Sequence, residues 1–225
     1  LPEVEVTRLG LKPLLNLNVG KVVIRNYSLR WPIDTALPKL LKNQTLLDFS
    51  RRGKYILAKF ASGTLIIHLG MSGRLCIVSY GEALNKHDHV DFQFKENNLI
   101  LRYRDPRRFG SILWTEEDPH NHKLIKNLGP EPLNEEFDAK YLFIRLKNKK
   151  QCIKNAIMDS HVVVGVGNIY ASEALHDSGI RPNRISKKVS MKELGSLVKS
   201  IKNIIKDAIK KGGSTMNDFF DVNGE

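Results

Sequence analysis

Apolar and polar residues alternate along much of the first half of the chain, a pattern with a period of two that predicts β-strands. The alternation is clearest at residues 90–94, and runs rich in β-branched and aromatic residues predict further strands at 19–27, 48–57, 64–69, 99–104 and 110–114. Short polar loops such as Ala61-Ser62-Gly63 separate neighbouring runs, as hairpin turns do. The first half is therefore predicted to be an antiparallel β domain of two packed sheets.

Helical spacing replaces this alternation after residues 128–133, where three turn-forming residues mark a domain boundary. Helices are predicted at 141–147, at 153–159 and from Asn168 onward. Ser190 and Glu193 form the capping box of a longer helix, whose lysines lie mostly off its apolar stripe on a solvated face. We predict an α+β protein with an N-terminal antiparallel β-sandwich domain at 1–127 and an all-helical domain at 128–225.

The stretch 162–175 carries the most specific local pattern in the chain. Three valines precede Gly165 and Gly167, and a helix is predicted to begin near Asn168. Because glycine lacks a Cβ, such a turn leaves the backbone N–H groups of the helix start accessible, and these groups attract an anion, most often a phosphate. The third glycine of a dinucleotide-binding fingerprint is missing. Two interpretations stay open, a phosphate-binding turn and an ordinary αα-hairpin.

The charge balance points to a polyanionic partner. The 225 residues carry a net charge of +12. Nucleic acid is favoured over a membrane as the partner, because the sequence shows no separate basic amphipathic segment that could serve as a membrane anchor. A generally basic proteome is the alternative explanation. Apolar residues make up 41% of the chain, as in globular proteins, and no apolar run reaches the length of a membrane span. The two cysteines lie far apart in sequence, which argues against a disulfide framework and indicates a reducing, cytoplasmic compartment.

Two stretches carry residues suited to chemistry on a nucleic acid. Lys54 follows Arg51, Arg52 and Gly53 at a strand start, and neighbouring cations lower the pKa of a lysine, which helps it act as an acid or a base. Phosphate binding and a simple surface hairpin are both compatible with this stretch. Met71 lies between two glycines, an unusual place for a core methionine. It is predicted to be either a wedge for a base stack or a buried gap-filler.

Three further groups of residues fit contacts with a nucleic acid. Strand alternation would send His87 and His89 to one face, but no third ligand accompanies them, so hydrogen bonding or phosphate contact is favoured over a metal site. Arg107 and Phe109 share a loop, in which arginine can bond a base edge or a phosphate and phenylalanine can stack. A run of lysines leads into the glycine turn: Lys147, Lys149, Lys150 and Lys154.

Together these stretches resemble the bacterial formamidopyrimidine-DNA glycosylase family. The resemblance follows the family's order at residues 1–5, 51–55, 68–73, 86–91, 105–110, 128–133, 153–159, 162–175 and 212–219. It implies a β-sandwich, a helical domain with a helix–two-turn–helix, and DNA in the cleft between them. It also implies excision of oxidised purines such as 8-oxoguanine and formamidopyrimidine, followed by elimination at the abasic site. The implied protein is a monomer of the bacterial cytoplasm, associated with the nucleoid, that binds double-stranded DNA with these lesions and no membrane.

The resemblance also implies roles for particular residues. Lys54 matches a lysine that contacts phosphate and donates a proton in the elimination, with Glu3 in support. The DNA-contacting positions are His87, Arg107, Lys149, Lys154 and Asn168. The gap left by an extruded base is filled by Met71, Arg107 and Phe109, and the loop that covers this base begins with Gly213, Ser214 and Thr215. Chemistry on a base requires its removal from the stack, which is the physical reason for a wedge.

Both ends of the chain depart from the family pattern. Leu1-Pro2-Glu3 aligns with the third to fifth residues of the family's Pro-Glu-Leu-Pro-Glu, so the nucleophilic proline amine and the acidic glutamate fall ahead of Leu1. The family's cysteine zinc finger falls after Glu225. We therefore expect a truncated chain with no metal or cofactor of its own, and one zinc ion in the full-length protein. We also expect no base excision by this chain alone, but some affinity for duplexes with an abasic site.

Two other functions stay open on the residues themselves. The first is a non-catalytic module that binds damaged DNA through the same wedge. A Met-Pro-Glu sequence encoded just upstream of Leu1 would favour the enzyme over this module. The second is a ribosomal or RNA-binding helical protein that uses the glycine turn, against which Met71 and the 107–109 loop argue.

Overall fold

A computed structural model of the chain describes residues 1–213, which form two compact units. The β unit contains residues 3–122, and the helical unit contains residues 123–213 together with Leu1 and Pro2. The contacts thus divide between His122 and Lys123, slightly ahead of the predicted boundary at 127/128, and the division into domains stays a prediction. Ser214 and Thr215, expected in the loop over an extruded base, lie outside the described residues.

The β unit is built from antiparallel strands, as the alternating pattern predicts. The strands are β1 (Val19–Ile24), β2 (Leu46–Arg52), β3 (Tyr55–Phe60), β4 (Gly63–His68), β5 (Arg74–Ser79), β6 (Asp88–Phe94), β7 (Leu99–Arg104) and β8 (Ser111–Thr115). They form two four-stranded sheets with the orders β1-β6-β7-β5 and β2-β3-β4-β8. One hydrophobic cluster contains side chains from both sheets, among them the fully buried Phe92 and Tyr103.

Strand pairing brings several loops of the β unit to neighbouring positions. His68 at the end of β4 pairs with the start of β3 and with the start of β8. Arg104 at the end of β7 pairs with the start of β5 and with the start of β6. Four connections therefore leave the sheets at paired strand ends. They are the turn ahead of β3, the loop between β4 and β5, the loop ahead of β6 and the loop between β7 and β8.

Two short α-helices accompany these sheets. Helix α1 (Pro2–Gly10) begins at Pro2 and carries Glu3 and Glu5 in its first turn, where carboxylates face the positive end of the helix dipole. Helix α2 (Leu37–Leu41) was not predicted, because five residues are too few to show a helical period. Its Leu37 and Leu41 lie one turn apart and are both buried, so the helix is held by packing.

The helical unit contains α3 (Ala139–Leu146), α4 (Ile153–Met158), α5 (Asn168–Asp177) and α6 (Met191–Lys210). Helix α3 begins earlier than predicted because the Asp138 carboxylate caps it and accepts a hydrogen bond from the Tyr141 N–H at 2.6 Å. The predicted capping box of α6 is confirmed. Short 3-10 helices lie at Lys12–Leu14, Pro119–Asn121 and Ser186–Lys188. Among the helices of residues 1–213, none combines the length and apolar character needed to cross a membrane.

The glycine turn ahead of α5 requires Gly165 for two reasons. Its φ of +79° lies in the left-handed region, and a Cβ at this position would lie 2.2 Å from Leu1 Cδ1. Helix α5 then begins at Asn168, and Gly167 in extended conformation is its N-cap residue. The turn therefore packs directly against the residue that precedes α1.

Candidate active site and nucleic-acid interface

Lys54 occupies the tight turn between β2 and β3, next to Gly53 with φ of +59°. Its side chain is half-buried. Burial lowers the pKa of Lys54 from its usual value because the ammonium group loses hydration, and the carboxylate charge of Glu3 partly opposes this shift. The neutral fraction of Lys54 is therefore larger than that of an exposed lysine at the same pH, and proton transfer by a lysine requires this property.

Helix α1 is fixed beside this turn by the carboxylate of Glu5. Arg51 Nε donates to Glu5 Oε2 at 2.8 Å, and Arg8 Nη2 donates to Glu5 Oε1 at 2.6 Å. Burial tends to raise the pKa of Glu5, but hydrogen bonds from the two arginines outweigh burial and the pKa is lowered. The ion pair between Glu5 and Arg51 therefore ties α1, which carries Glu3, to β2, which leads into Lys54.

His68 is a residue of this site that the sequence analysis did not assign. It ends β4, its ring centroid lies 4.8 Å from that of Tyr55, and its Nδ1 accepts a hydrogen bond from the Gly70 N–H at 3.0 Å. Burial, followed by the positive charges of Lys54 and Arg30, lowers the pKa of His68 from 6.5 to about 4. The imidazole is therefore neutral near pH 7, with its proton on Nε2. The only sequence signal was its place directly ahead of the Gly70–Met71 turn.

The lowered pKa of His68 predicts a pH-dependent stability. The unfolded chain takes up a proton at this histidine below pH 6.5, whereas the folded chain does so only near pH 4. The contribution of His68 to the free energy of unfolding is therefore fully present above pH 6.5. It is lost as the pH drops to about 4, which lowers the free energy of unfolding by up to roughly 3 kcal/mol. Urea unfolding followed by the fluorescence of Trp31 and Trp114, both in the β unit, measures this change.

The matched variants for this measurement are His68→Gln and His176→Gln. Glutamine can still accept a hydrogen bond from Gly70 but does not titrate, so the loss of stability between pH 7 and pH 4 should shrink by the same roughly 3 kcal/mol. His176 is exposed on α5, and its replacement should leave the pH profile unchanged. An unchanged profile in His68→Gln would show that another group causes the acid sensitivity.

Met71 lies on the surface of the β unit, and its interpretation as a buried gap-filler is wrong. The side chain is 71% exposed and that of Phe109 is 46% exposed. Both line a cavity of about 550 Å³ whose other walls are Ser28, Arg30, His68, Gly70, Arg107 and Arg108. The Arg107 guanidinium carbon lies 4.7 Å from the centroid of the Phe109 ring, a cation–π contact that joins two residues predicted to enter DNA. The structure thus brings Met71, Arg107 and Phe109 together around one cavity, whose walls also include Arg30 and Arg108.

His87 and His89 lie close to each other but differ in their surroundings. Their ring centroids are 6.4 Å apart, His87 is half-buried, and the buried His89 places Nε2 2.8 Å from the carbonyl oxygen of Asp105. His89 is thus engaged within the fold, while His87 is the more accessible of the two. In residues 1–213, no cluster of three or more His, Cys, Asp or Glu side chains could hold a metal ion.

The remaining predicted contacts lie on consecutive segments of the helical unit. Lys149 Nζ is 3.2 Å from Asp159 Oδ2, so a phosphate would compete with this carboxylate for the lysine. Lys154 is half-buried on α4, and Asn168 is exposed as the first residue of α5. Gly213, with φ of +103°, ends the described chain and donates its N–H to Ala208 O at 2.8 Å.

Comparison with known protein families matches both parts of the chain. The formamidopyrimidine-DNA glycosylase N-terminal domain matches residues 1–112, and the formamidopyrimidine-DNA glycosylase H2TH domain matches residues 128–220. The formamidopyrimidine-DNA glycosylase of Methylobacillus flagellatus is 48% identical over 224 residues, which cover 100% of this chain and 80% of that protein. The enzyme of the same name from a Marinomonas species is 50% identical over 226 residues and is covered to 83%.

Solved structures agree with these matches. The Lactococcus lactis enzyme bound non-covalently to DNA with an abasic site superposes with a TM-score of 0.89 at 31% identity, covering 95% of this chain and 83% of that one. The same enzyme with DNA that contains an N7-benzyl-Fapy-dG lesion gives a TM-score of 0.91 at 30% identity, with 100% and 84% covered. The Thermus thermophilus protein gives 0.85 at 31% identity, with 97% and 79% covered.

Proposed function

The chain belongs to the formamidopyrimidine-DNA glycosylase family of base-excision repair, and on this premise we propose that it removes oxidised purines from double-stranded DNA and nicks the resulting abasic site by elimination. The oxidised-purine substrate is supported by the DNA complexes of the similar Lactococcus lactis enzyme, which contain abasic and Fapy-dG sites. Such a substrate also suits a protein that works in the bacterial cytoplasm beside the nucleoid.

The observation that carries this proposal is the grouping of Lys54, Met71, Arg107 and Phe109 around neighbouring strand ends of the β unit. Base excision needs a group that replaces the extruded base, and elimination needs a group that transfers protons near neutral pH. The exposed Met71 and Phe109 fit the first requirement, and the lowered pKa of Lys54 fits the second. The adjacent arginines supply positive charge for the DNA backbone.

Elimination after base loss transfers a proton from C2′ of the sugar to a base and breaks the C3′–O bond, so that the phosphate leaves with the electron pair of that bond. We assign Lys54 the role of proton donor to the oxygen of this leaving group and Glu3 that of a supporting charge, because the Glu3 carboxylate favours the protonated lysine. The nucleophile implied by the family is the amine of a proline placed ahead of Leu1. This amine forms the covalent bond to C1′, and the residues of this chain orient the DNA around it.

Borohydride trapping tests the proposed reaction. The protein used is the extended chain, which carries Pro-Glu ahead of Leu1 and the family's cysteine zinc finger after Glu225. We expect it to release 8-oxoguanine from a duplex, to nick a preformed abasic site, and to become covalently linked to DNA in the presence of borohydride, because hydride reduces the iminium ion between the proline nitrogen and C1′ to a stable amine. A proline-to-glycine change at its first residue replaces the secondary amine of proline with a primary amine and serves as the matched control.

The same assay distinguishes the enzyme from a non-catalytic module that binds damaged DNA. Tight binding to abasic duplexes without base release, nicking or trapped product in the extended chain would favour the module. Base release without nicking would support the glycosylase and contradict the elimination. Failure to bind abasic duplexes more tightly than undamaged ones would contradict both functions.

Binding is expected to depend strongly on salt. Each phosphate neutralised by a lysine or arginine releases counterions, so the log–log slope of affinity against salt should be about −0.9 for each neutralised phosphate. Lys149→Ala should make this slope shallower by the amount expected for about one phosphate contact, and it should weaken binding to all duplexes alike. Asp159→Asn should instead tighten binding, because the carboxylate that lies 3.2 Å from Lys149 no longer competes with phosphate. Fluorescence anisotropy at several salt concentrations gives both results.

Lys206→Ala is the control for these two variants. Lys206 is an exposed lysine on the solvated face of α6 and carries the same charge as Lys149. Its removal should leave the slope unchanged. An equal effect of both lysines would mean that net charge, and not a contact at Lys149, determines the affinity, and a flat salt titration would contradict DNA binding altogether.

A further inference from the structure

Asp105 joins the loops that are proposed to enter DNA, although no role was assigned to it from the sequence. We propose that Asp105 is a positioning residue that fixes the Met71 loop (residues 69–73) and the Arg107 loop (residues 106–110) in one arrangement for insertion into the base stack. This inference rests on the proposed function of Met71 and Phe109 as a wedge. Asp105 follows β7 directly and is fully buried at 0% exposure.

One carboxylate oxygen connects the two loops. Ser72 Oγ donates a hydrogen bond to Asp105 Oδ1 at 2.7 Å, and the Arg107 N–H lies 3.3 Å from the same oxygen. The Arg107 N–H also lies 3.2 Å from Ser72 Oγ, which closes a small hydrogen-bonded ring. Because Ser72 follows Met71 in the chain, the position of the methionine backbone is tied to that of Arg107.

The second carboxylate oxygen holds the end of the Arg107 loop. The Gly110 N–H donates to Asp105 Oδ2 at 2.9 Å, and Tyr103 OH donates to the same oxygen at 3.2 Å. Arg108 within this loop has φ of +56°, a conformation that costs a non-glycine residue free energy and therefore needs support from its surroundings. The loop thus depends on contacts that Asp105 provides at both of its ends.

The two loops also touch through their backbones. A Cβ at Gly70 would lie 2.6 Å from Gly110 N and 2.6 Å from Phe109 C, so the chain segments approach as closely as glycine allows. The Asp105 backbone extends the connection to a third loop, because its N–H donates to His87 O at 3.1 Å. The loops that carry Met71, Phe109 and His87 are therefore all hydrogen-bonded to one buried residue, Asp105.

The electrostatics explain why a carboxylate is needed at this position. Within residues 1–213, no lysine or arginine forms an ion pair with Asp105, whereas the equally buried Asp91 is paired with Arg25 and Arg102 at 2.6 and 2.9 Å. The charge of Asp105 is balanced by hydrogen bonds from the loops themselves. Hydrogen bonds to a charged acceptor are roughly twice as strong as neutral ones, so the carboxylate orders both loops more firmly than an amide would.

The test uses the chain of 225 residues and a duplex in which a tetrahydrofuran abasic analogue lies opposite 2-aminopurine. Insertion of the wedge unstacks the 2-aminopurine and raises its fluorescence, and no catalysis is required. We expect Asp105→Asn to lower the preference for this duplex over an undamaged one by at least about tenfold, the effect of one lost hydrogen bond to a charged group. The fluorescence rise should disappear, while affinity for undamaged DNA stays within twofold, as expected of a residue that touches no phosphate.

Asp91→Asn is the matched control, since it removes another buried carboxylate of the same sheet that contacts neither loop. It should lower the melting temperature but keep the preference and the fluorescence signal. Ser72→Ala removes one hydrogen bond of the ring, and Ser72→Thr restores the hydroxyl. We expect the alanine variant to lose part of the preference and the threonine variant to regain it, a rescue that general destabilisation does not produce.

The outcomes separate this inference from the function on which it rests. If the unmodified chain shows no preference for the abasic duplex, both proposals fail. If Met71→Ala removes the fluorescence signal but a folded Asp105→Asn retains it, the wedge stands and the positioning role is overturned. If Asp105→Asn does not fold, the Ser72→Ala and Ser72→Thr pair decides, and equal signals in the two variants overturn the positioning role.

Discussion

Replacement of Lys54 by glutamine should reduce strand cleavage at a preformed abasic site by about 100-fold or more in the extended chain, the usual range for loss of a general acid or base. Glutamine is one atom shorter than lysine and stays polar, but it can neither hold nor release the proton. The pKa of Lys54 is lowered, first by burial and against the charge of Glu3. The lysine can therefore exchange its proton at pH values where an exposed lysine stays charged. Gel assays of nicking under single-turnover conditions measure the chemical step directly.

The pH profile gives this prediction its specificity. A proton donor must be protonated, so nicking should decline as the pH rises through the pKa of Lys54, which is lowered from the usual 10.5 of a lysine. In Lys54→Gln this alkaline decline should vanish together with most of the rate. Glu3→Gln should move the decline to lower pH, since the carboxylate charge that favours the protonated lysine is removed.

Lys59→Gln is the control for charge and position. Lys59 lies on β3 of the same hairpin but is exposed, so its replacement should change nicking less than twofold, in line with the small effects of surface substitutions. A full rate in Lys54→Gln would refute the role as proton donor. Weak binding with a normal single-turnover rate at saturating protein would instead reduce Lys54 to a phosphate contact.

Most of the fold follows from local patterns in the sequence. Alternation indicates the strands because the side-chain period of a strand is two, and it is visible wherever one face of a strand is buried. The order β1-β6-β7-β5 is not visible in the same way, since it results from pairings between strands that are distant in the chain. Helix α2 also escapes prediction, because tertiary packing of Leu37 and Leu41 stabilises a helix too short to show a period.

Prediction of the site has the same limit. Two flanking glycines made an exposed Met71 one of two predicted alternatives, because a bare turn offers little cover for a side chain. The pKa of His68, the hydrogen bonds of Asp105 and the ion pair of Lys149 with Asp159 could not be predicted. Each depends on which groups the fold places nearby, and burial and neighbouring charge are properties of the tertiary structure. The site residues assigned through the family resemblance stay predictions that the variants above test.

Replacement of Met71 by alanine in the extended chain should slow excision of 8-oxoguanine from a fully paired duplex by about tenfold or more, because extrusion of a paired base costs a few kcal/mol and the wedge lowers that cost. The same variant should be much less impaired on a single-stranded or bulged target, since an unpaired base needs no replacement in the stack. Stability should barely change. A side chain that is 71% exposed contributes little to the core, so the free energy of unfolding should stay within about 0.5 kcal/mol of the original.

Three measurements decide the role of Met71: excision from paired targets, excision from unpaired targets, and thermal melting. Met191→Ala, which removes another exposed methionine on α6, should change none of them. A core methionine would give the opposite pattern, a loss of about 2–5 kcal/mol of stability with equal effects on both targets. Phe109→Ala should repeat the selective loss expected of Met71→Ala, because the two side chains line the same cavity. Equal slowing on paired and unpaired targets would contradict the wedge even if stability were unchanged, since only the paired target requires a filled gap.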